Sequence, residues 1–182
     1  MRSTLTIDVE APARLVFDLA RDVQRWPALL PHYRDVRVEA REAQPPGAVT
    51  ARMLAIRPLV PLLGYGIPVA WRSRTWAEEA TLRLRFVHLG GATNGMDVTW
   101  RIEETPVGCR VSIDHAFDPR MPGFAALVNA LFVRPIATRT LASFKAIAEA
   151  VAPATVAPAK VAPATVAQGA RSAKRKSTKT ST

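Results

Sequence analysis

Between residues 67 and 117, apolar and charged side chains alternate through four successive segments, and this alternation constrains the fold more than any other feature of the chain. One set runs Val69, Trp71, then Leu82, Leu84, Phe86, then Met96, Val98, Trp100, Ile102, then Val111, Ile113, Phe117. The interleaved set holds Arg72, Arg74, Arg83, Arg85, Asp97, Arg101, Glu103, Arg110 and Asp114. A period of two belongs to a β-strand, whose side chains point to opposite faces in turn. Strands are therefore predicted at about 67–77, 81–89, 95–104 and 108–117, with turns at Glu78-Glu79-Ala80, Gly90 to Asn94 and Thr105 to Gly108. Connections this short join antiparallel neighbours. The resulting sheet has one wet face and one dry face, and the dry face must be covered.

A cover is encoded downstream. From about 122 to 151, apolar residues recur at helical spacing, among them Phe124, Val128, Phe132, Ile136, Leu141 and Phe144. Pro135 is expected to kink that helix. Upstream, Leu5, Ile7 and Val9 alternate with Thr4, Thr6 and Asp8 as a first strand. Pro12 then opens a short amphipathic helix, and Trp26-Pro27 begins a second that Pro31 ends or bends. A hairpin follows around Pro45-Pro46-Gly47, its second strand alternating Thr50, Arg52, Leu54 and Ile56 with Val49, Ala51, Met53 and Ala55.

The length of 182 residues suits one domain with one core. The net charge of +10 is unevenly placed: six basic residues and no acid follow Val151, leaving 19 basic and 15 acidic residues and a net of +4 before them. That C-terminal stretch repeats Val-Ala-Pro-Ala units from Val151 with a period of five, and proline in each clean unit favours an extended chain over a packed one. Two parts are expected, a folded domain over 1–151 and a disordered spacer over 152–182. The basic end, 171–182, is a candidate for weak, sequence-independent contact with nucleic acid or an anionic membrane.

The single cysteine, Cys109, excludes an intramolecular disulfide and any cysteine-rich zinc site. The N-terminus carries Asp8 and Glu10 and no apolar run of leader length, so a cytoplasmic location is expected. The apolar stretch Leu54 to Trp71 is interrupted by Arg57, Pro58, Pro61, Gly64, Gly66 and Pro68 and does not read as a membrane span. Within it, the loop 57–66 is too apolar for an ordinary surface turn, and caps the cavity mouth, touches a membrane or packs against a partner, the lid being the preferred expectation.

The segment from Ala11 through Trp26-Pro27 to Tyr33 resembles the opening helices of bacterial polyketide cyclase/dehydrase-type proteins, in which a Trp-Pro pair precedes the second helix. The stretches Phe86 to Trp100 and Arg139 to Glu149 are similar in kind, and the order strand, two short helices, six strands and long helix is that of the START-like superfamily. The resemblance covers about 1–151. It implies an α+β helix-grip fold, a curved antiparallel sheet of about seven strands around a long C-terminal helix, with an elongated apolar cavity between them.

Within the dry face the polar exceptions are Ser73, Thr75, His88 and His115, with Arg52 on the hairpin and Tyr33 at its entrance. A mostly apolar wall with a few orienting groups is the composition of a small-molecule pocket. Trp71, Phe86, Met96, Trp100 and Phe117 are expected to hold a ligand, and Tyr33, Ser73, Thr75, His88 and His115 to orient it; Arg52 adds a cation if the hairpin register turns it inward and is otherwise a solvated edge residue. Tyr33 and Trp71 also match positions that aromatase/cyclase members use, while inward positions where those enzymes are thought to place arginines read Thr75 and His88.

The partner implied is a hydrophobic or aromatic molecule such as a lipid, quinone or polyketide, bound by a carrier or sensor. The alternative is a cyclase/aromatase/dehydrase acting on a poly-β-ketone, with Tyr33 or His88 as the catalytic proton-transfer group. No cofactor is indicated, and His32, His88 and His115 lack the short spacing of a metal set.

Overall fold

A computed structural model describes residues 1–58, 66–119 and 123–152. Seven strands form one antiparallel sheet: β1 (Arg2–Val9), β2 (Tyr33–Arg41), β3 (Val49–Pro58), β4 (Gly66–Glu78), β5 (Arg83–His88), β6 (Asp97–Thr105) and β7 (Gly108–Ala116). Their spatial order is β1-β7-β6-β5-β4-β3-β2. The first two strands in the chain thus form the two outer edges. The chain crosses from one edge to the other through α1 (Ala13–Ala20), a 3₁₀ turn at Val23–Arg25, and α2 (Trp26–Leu29).

The four strands read from alternation fall where expected, and their pairing carries the alternation across the sheet. Phe86 stands opposite Val98, Val98 opposite His115, and Trp100 opposite Ile113, so one face is continuous from strand to strand. On the other face, ion pairs join Arg85 to Asp97 at 3.2 Å, Arg101 to Asp114 at 2.9 Å and Arg110 to Asp8 at 2.7 Å.

The long helix α3 (Phe124–Val151) fills the hollow of the sheet. By length and composition it is apolar enough to cross a membrane. Its apolar stripe instead faces the sheet, with Ile136, Ala137, Thr140, Leu141, Phe144 and Ala148 buried at helical spacing. Helix and sheet are also tied at the far end, where Lys145 donates to the Asp8 carbonyl at 2.8 Å and Glu149 accepts from the Glu10 N–H at 2.8 Å.

Pro135 is accommodated by a local widening of α3. Residues Asn129–Val133 form a π-helical turn in which the Arg134 N–H bonds the Asn129 carbonyl, five residues back. The wider turn shifts the register one residue ahead of a proline that has no N–H to offer and whose ring would strike the preceding turn of an ordinary helix.

The hairpin of β2 and β3 is paired as expected, and β3 and β4 pair as far as Pro58 opposite Gly66. The segment expected to be a lid lies, at 59–65, outside the described residues, and so does the spacer from 153 onward.

Candidate functional site

The inner faces of β2 to β7 and one side of α3 line a partly open cavity of about 100 Å³. Seven of the residues picked from the sequence meet there: Tyr33, Trp71, Phe86, His88, Met96, Trp100 and His115. Each arrives by the same rule. Alternation turns Trp71 inward from β4, Phe86 and His88 from β5, Trp100 from β6 and His115 from β7, while Tyr33 opens β2 directly after α2.

Four others do not line the cavity, and these are corrections. Arg52 is exposed on the outer face, because Ala51, Met53 and Ala55, at 0%, 1% and 0% exposure, are the β3 residues that turn inward. The inward set on β3, Val49, Ala51, Met53 and Ala55, is wholly apolar but mostly small, while the larger apolar Leu54 and Ile56 share the other set with Thr50 and Arg52, which blurs the contrast. Ser73 is fully buried within the sheet layer, its hydroxyl only 3.4 Å from the carbonyls of Arg74 and Val87. Thr75 faces inward beyond the cavity's end and borders a separate polar depression with Arg21, Asp22 and Arg41. Phe117 is buried past the end of β7, where its carbonyl accepts from the Met1 ammonium.

The sequence reading also missed part of the wall. Phe132, Val133, Ile136, Ala137 and Thr140 line it from α3, Trp26 and Met53 from the other side, and Thr93 from the β5–β6 turn. The helical stripe was legible, but strand alternation alone does not say which turns of the covering helix stand over empty space.

The wall is dominated by aromatic contacts. Trp26 touches Tyr33, Phe86 and Trp100 at centroid distances of 5.0, 5.8 and 5.7 Å. Phe144 closes on Trp100 from the helix at 5.8 Å. Nearer the β5–β6 turn, His88 stacks on Trp71 at 6.0 Å, and its Nδ1 is 2.8 Å from the Thr93 hydroxyl.

Thr140 provides a second polar point. Its hydroxyl donates to the Ile136 carbonyl at 2.9 Å, so the 2.9 Å contact with His32 Nε2 is one the histidine donates. That order places the ring proton of His32 on Nε2 and leaves its buried Nδ1 without a partner.

All these groups are uncharged at neutral pH. Burial lowers the pKa of His32, His88 and His115 to about 4 each, aided by Arg139 near His32 and by His115 near His88. For His115 a hydrogen bond to the Ser3 backbone and the Asp114 carboxylate pull the other way without cancelling the effect. Burial pushes the Tyr33 phenol up, so it stays protonated. Cys109, away from the cavity, is raised to about 11 by burial and then by Asp8, which leaves it a thiol and a poor nucleophile. Among the described residues, no Asp, Glu, Lys or Arg lines the cavity. The arrangement can enclose an apolar ring and offer it hydrogen bonds, and it can exchange a proton only through Tyr33 or a neutral imidazole.

The family model described as polyketide cyclase/dehydrase and lipid transport matches residues 1–149. A putative polyketide cyclase of Streptomyces cyaneus is 35% identical over 131 residues, which are 68% of this chain and 80% of that protein. One from Streptomyces halstedii is 31% identical over 103 residues, 56% of this chain and 87% of the relative. Among solved structures, a Streptomyces aromatase/cyclase superposes with a TM-score of 0.65 at 20% identity, over 82% of this chain and 93% of that one. A START superfamily protein of Mycobacterium smegmatis superposes with a TM-score of 0.61 at 14% identity, over 82% and 97%. The structural likenesses speak for the helix-grip fold.

Proposed function

This chain belongs to the polyketide cyclase/dehydrase and lipid transport family, and from that premise we propose that it binds a hydrophobic or aromatic small molecule in the cavity between sheet and α3. The observation that carries this reading is the cavity wall itself, largely apolar and free of charged side chains among the described residues. Ligand sites are typically apolar hollows with a few placed polar groups, and Tyr33, His88, Thr93, His115 and Thr140 are such groups here.

Size narrows the occupant. An engineered cavity of about 150 Å³ holds benzene, and sites for drug-sized ligands span roughly 300–1,000 Å³. At about 100 Å³ this partly open hollow is smaller than that benzene site and holds at most one compact ring within its walls. A lipid, quinone or polyketide would extend beyond it or displace wall side chains. The test is native mass spectrometry of the purified chain together with thermal shift against a panel of apolar compounds. A co-purified molecule or a saturable rise in melting temperature supports the reading; neither in any compound sinks it.

A second reading, catalysis on a poly-β-ketone, is favoured by the two relatives named as putative polyketide cyclases. In it the Tyr33 hydroxyl donates to a substrate carbonyl and neutral His88 takes a proton, with Thr93 holding its other nitrogen. Identical product ratios from wild type and His88→Ala with a reactive poly-β-ketone mimic would remove His88 from that role.

A further inference from the structure

The depression that Thr75 borders shares no lining residue with the cavity and is larger, at about 250 Å³. Its floor is the inner face of the sheet at the hairpin end. Val49 on β3 stands opposite Arg41 on β2 and opposite Thr75 on β4, and residues paired across strands share a face. Residues 21–24, where the chain leaves α1 for the 3₁₀ turn, supply another wall.

Thr75 is 5% exposed, and its hydroxyl makes no hydrogen bond among the described residues. The oxygen is nevertheless not among the buried atoms sealed from solvent, and the depression is the space it opens to. A hydroxyl so placed is normally paired, so this one is available to an occupant.

Two opposite charges reach the same space without meeting each other. Arg41, at the end of β2, forms no ion pair among the described residues, and neither does Asp22. One Asp22 oxygen accepts from the Gln24 N–H at 3.1 Å, which leaves the other free. The remaining cation of the wall, Arg21, is already committed to Asp18 at 3.4 Å and Glu79 at 2.5 Å.

These charges restrict what fits. A simple anion would gain Arg41 but also face Asp22, and a simple cation would face the reverse. A molecule carrying a carboxylate and an ammonium satisfies both. Val38, Val49 and Ala77, half-buried in the floor and walls, add apolar surface for a short side chain. The space exceeds the roughly 150 Å³ that hold a benzene ring, which is ample for such a molecule.

We propose that this depression is a second binding site, separate from the cavity, for a free α-amino acid with a small apolar side chain. Its carboxylate accepts from Arg41 and from the Thr75 hydroxyl, and its ammonium donates to Asp22.

The experiment is a ¹⁵N NMR titration of the full chain at low salt with three probes: L-valine, isovalerate, which lacks the ammonium, and isobutylamine, which lacks the carboxylate. Valine is expected to shift the amides of Asp22, Gln24 and Thr75 saturably while those of Thr93 and His115, in the cavity, stay in place. Isovalerate and isobutylamine are each expected to bind at least about threefold more weakly, the scale of one exposed ion pair. Asp22→Asn keeps the cap on the 3₁₀ turn, since asparagine also caps. It is expected to weaken valine at least about threefold without weakening isovalerate. Arg41→Gln should weaken valine by a similar factor without weakening isobutylamine, and Thr75→Val should weaken valine with little change in shape. The absence of a valine-dependent shift at Asp22, Gln24 and Thr75, equal affinities for the three probes, or isovalerate binding more tightly than valine would overturn the proposal. Any of these would leave the reading of the cavity standing, because toluene, a probe for that site, is expected to shift Thr93 and His115 instead.

Discussion

The imidazole of His88 lies against the indole of Trp71 with centroids 6.0 Å apart and planes 25° from parallel, and this stacked pair joins the apolar wall of the cavity to its polar rim at Thr93. Both rings come from neighbouring strands, β4 and β5, and both are only partly buried, so they contribute more to an occupant than to the core. Trp71→Ala is accordingly expected to weaken binding of an aromatic probe about tenfold or more and to lower stability by only about 1–2 kcal/mol. Titration of the variant alongside its urea unfolding curve checks both numbers.

Acid should destabilise the domain through its histidines. The folded-state pKa values of His32, His88 and His115, at about 4, lie below the value of roughly 6.5 expected of an unfolded histidine. Between those limits the unfolded chain binds protons that the folded chain refuses, so stability is fully present above about pH 6.5 and is lost as pH falls toward 4. Each histidine is expected to contribute on the order of 1–3 kcal/mol to that loss. Urea midpoints measured between about pH 7 and pH 5 test it, and His32→Gln should flatten the slope.

Arg52 provides a test of the opposite kind. It stands in register with Arg37 on β2 and Arg72 on β4, three like charges in a row on the outer face. Its neighbours each have an acid, Asp35 at 2.8 Å and Glu39 at 2.7 Å. Cross-strand like charges repel, so Arg52→Thr is expected to leave stability unchanged or raise it by up to about 1 kcal/mol. It should not alter ligand affinity, whereas a cation inside the pocket would.

The contact between His32 and Thr140 should behave as a coupled pair. Thr140→Val removes the acceptor for a buried N–H and is expected to cost about 1–3 kcal/mol. His32→Leu combined with Thr140→Val should cost less than the two separate changes added, because replacing both leaves nothing unpaired. A double-mutant cycle in urea measures the coupling.

These outcomes also mark how far the sequence alone could be read. The strands from Gly66 to Ala116 were legible because arginines and aspartates alternate there with large apolar residues, and a one-residue slip would expose Trp100 and Ile113 together. The same rule was less decisive on β3, where the inward Val49, Ala51, Met53 and Ala55 are apolar but mostly small, and the outer set mixes Arg52 and Thr50, buried by its bond to Glu42, with the larger Leu54 and Ile56. Leu82 reads as a strand residue, yet it takes a left-handed conformation with φ of 47° to end a 3₁₀ turn. Apolar character at that position reported burial and carried no information about backbone angle. The π-turn at Asn129–Val133 was foreshadowed by Pro135, but a proline reports a missing N–H without saying whether the helix bends or widens around it.

The most direct test of the cavity as a binding site is to fill it from the helix side. Ala137 is 8% exposed and lines the cavity from α3, so a larger apolar side chain there enters the empty space. Calorimetric titration of a single-ring aromatic into wild type should give saturable one-to-one binding with a negative heat-capacity change, and Ala137→Leu should abolish that signal while keeping or raising the melting temperature. Undiminished binding in Ala137→Leu would place the ligand elsewhere, and an absence of binding in wild type would contradict the cavity's role altogether.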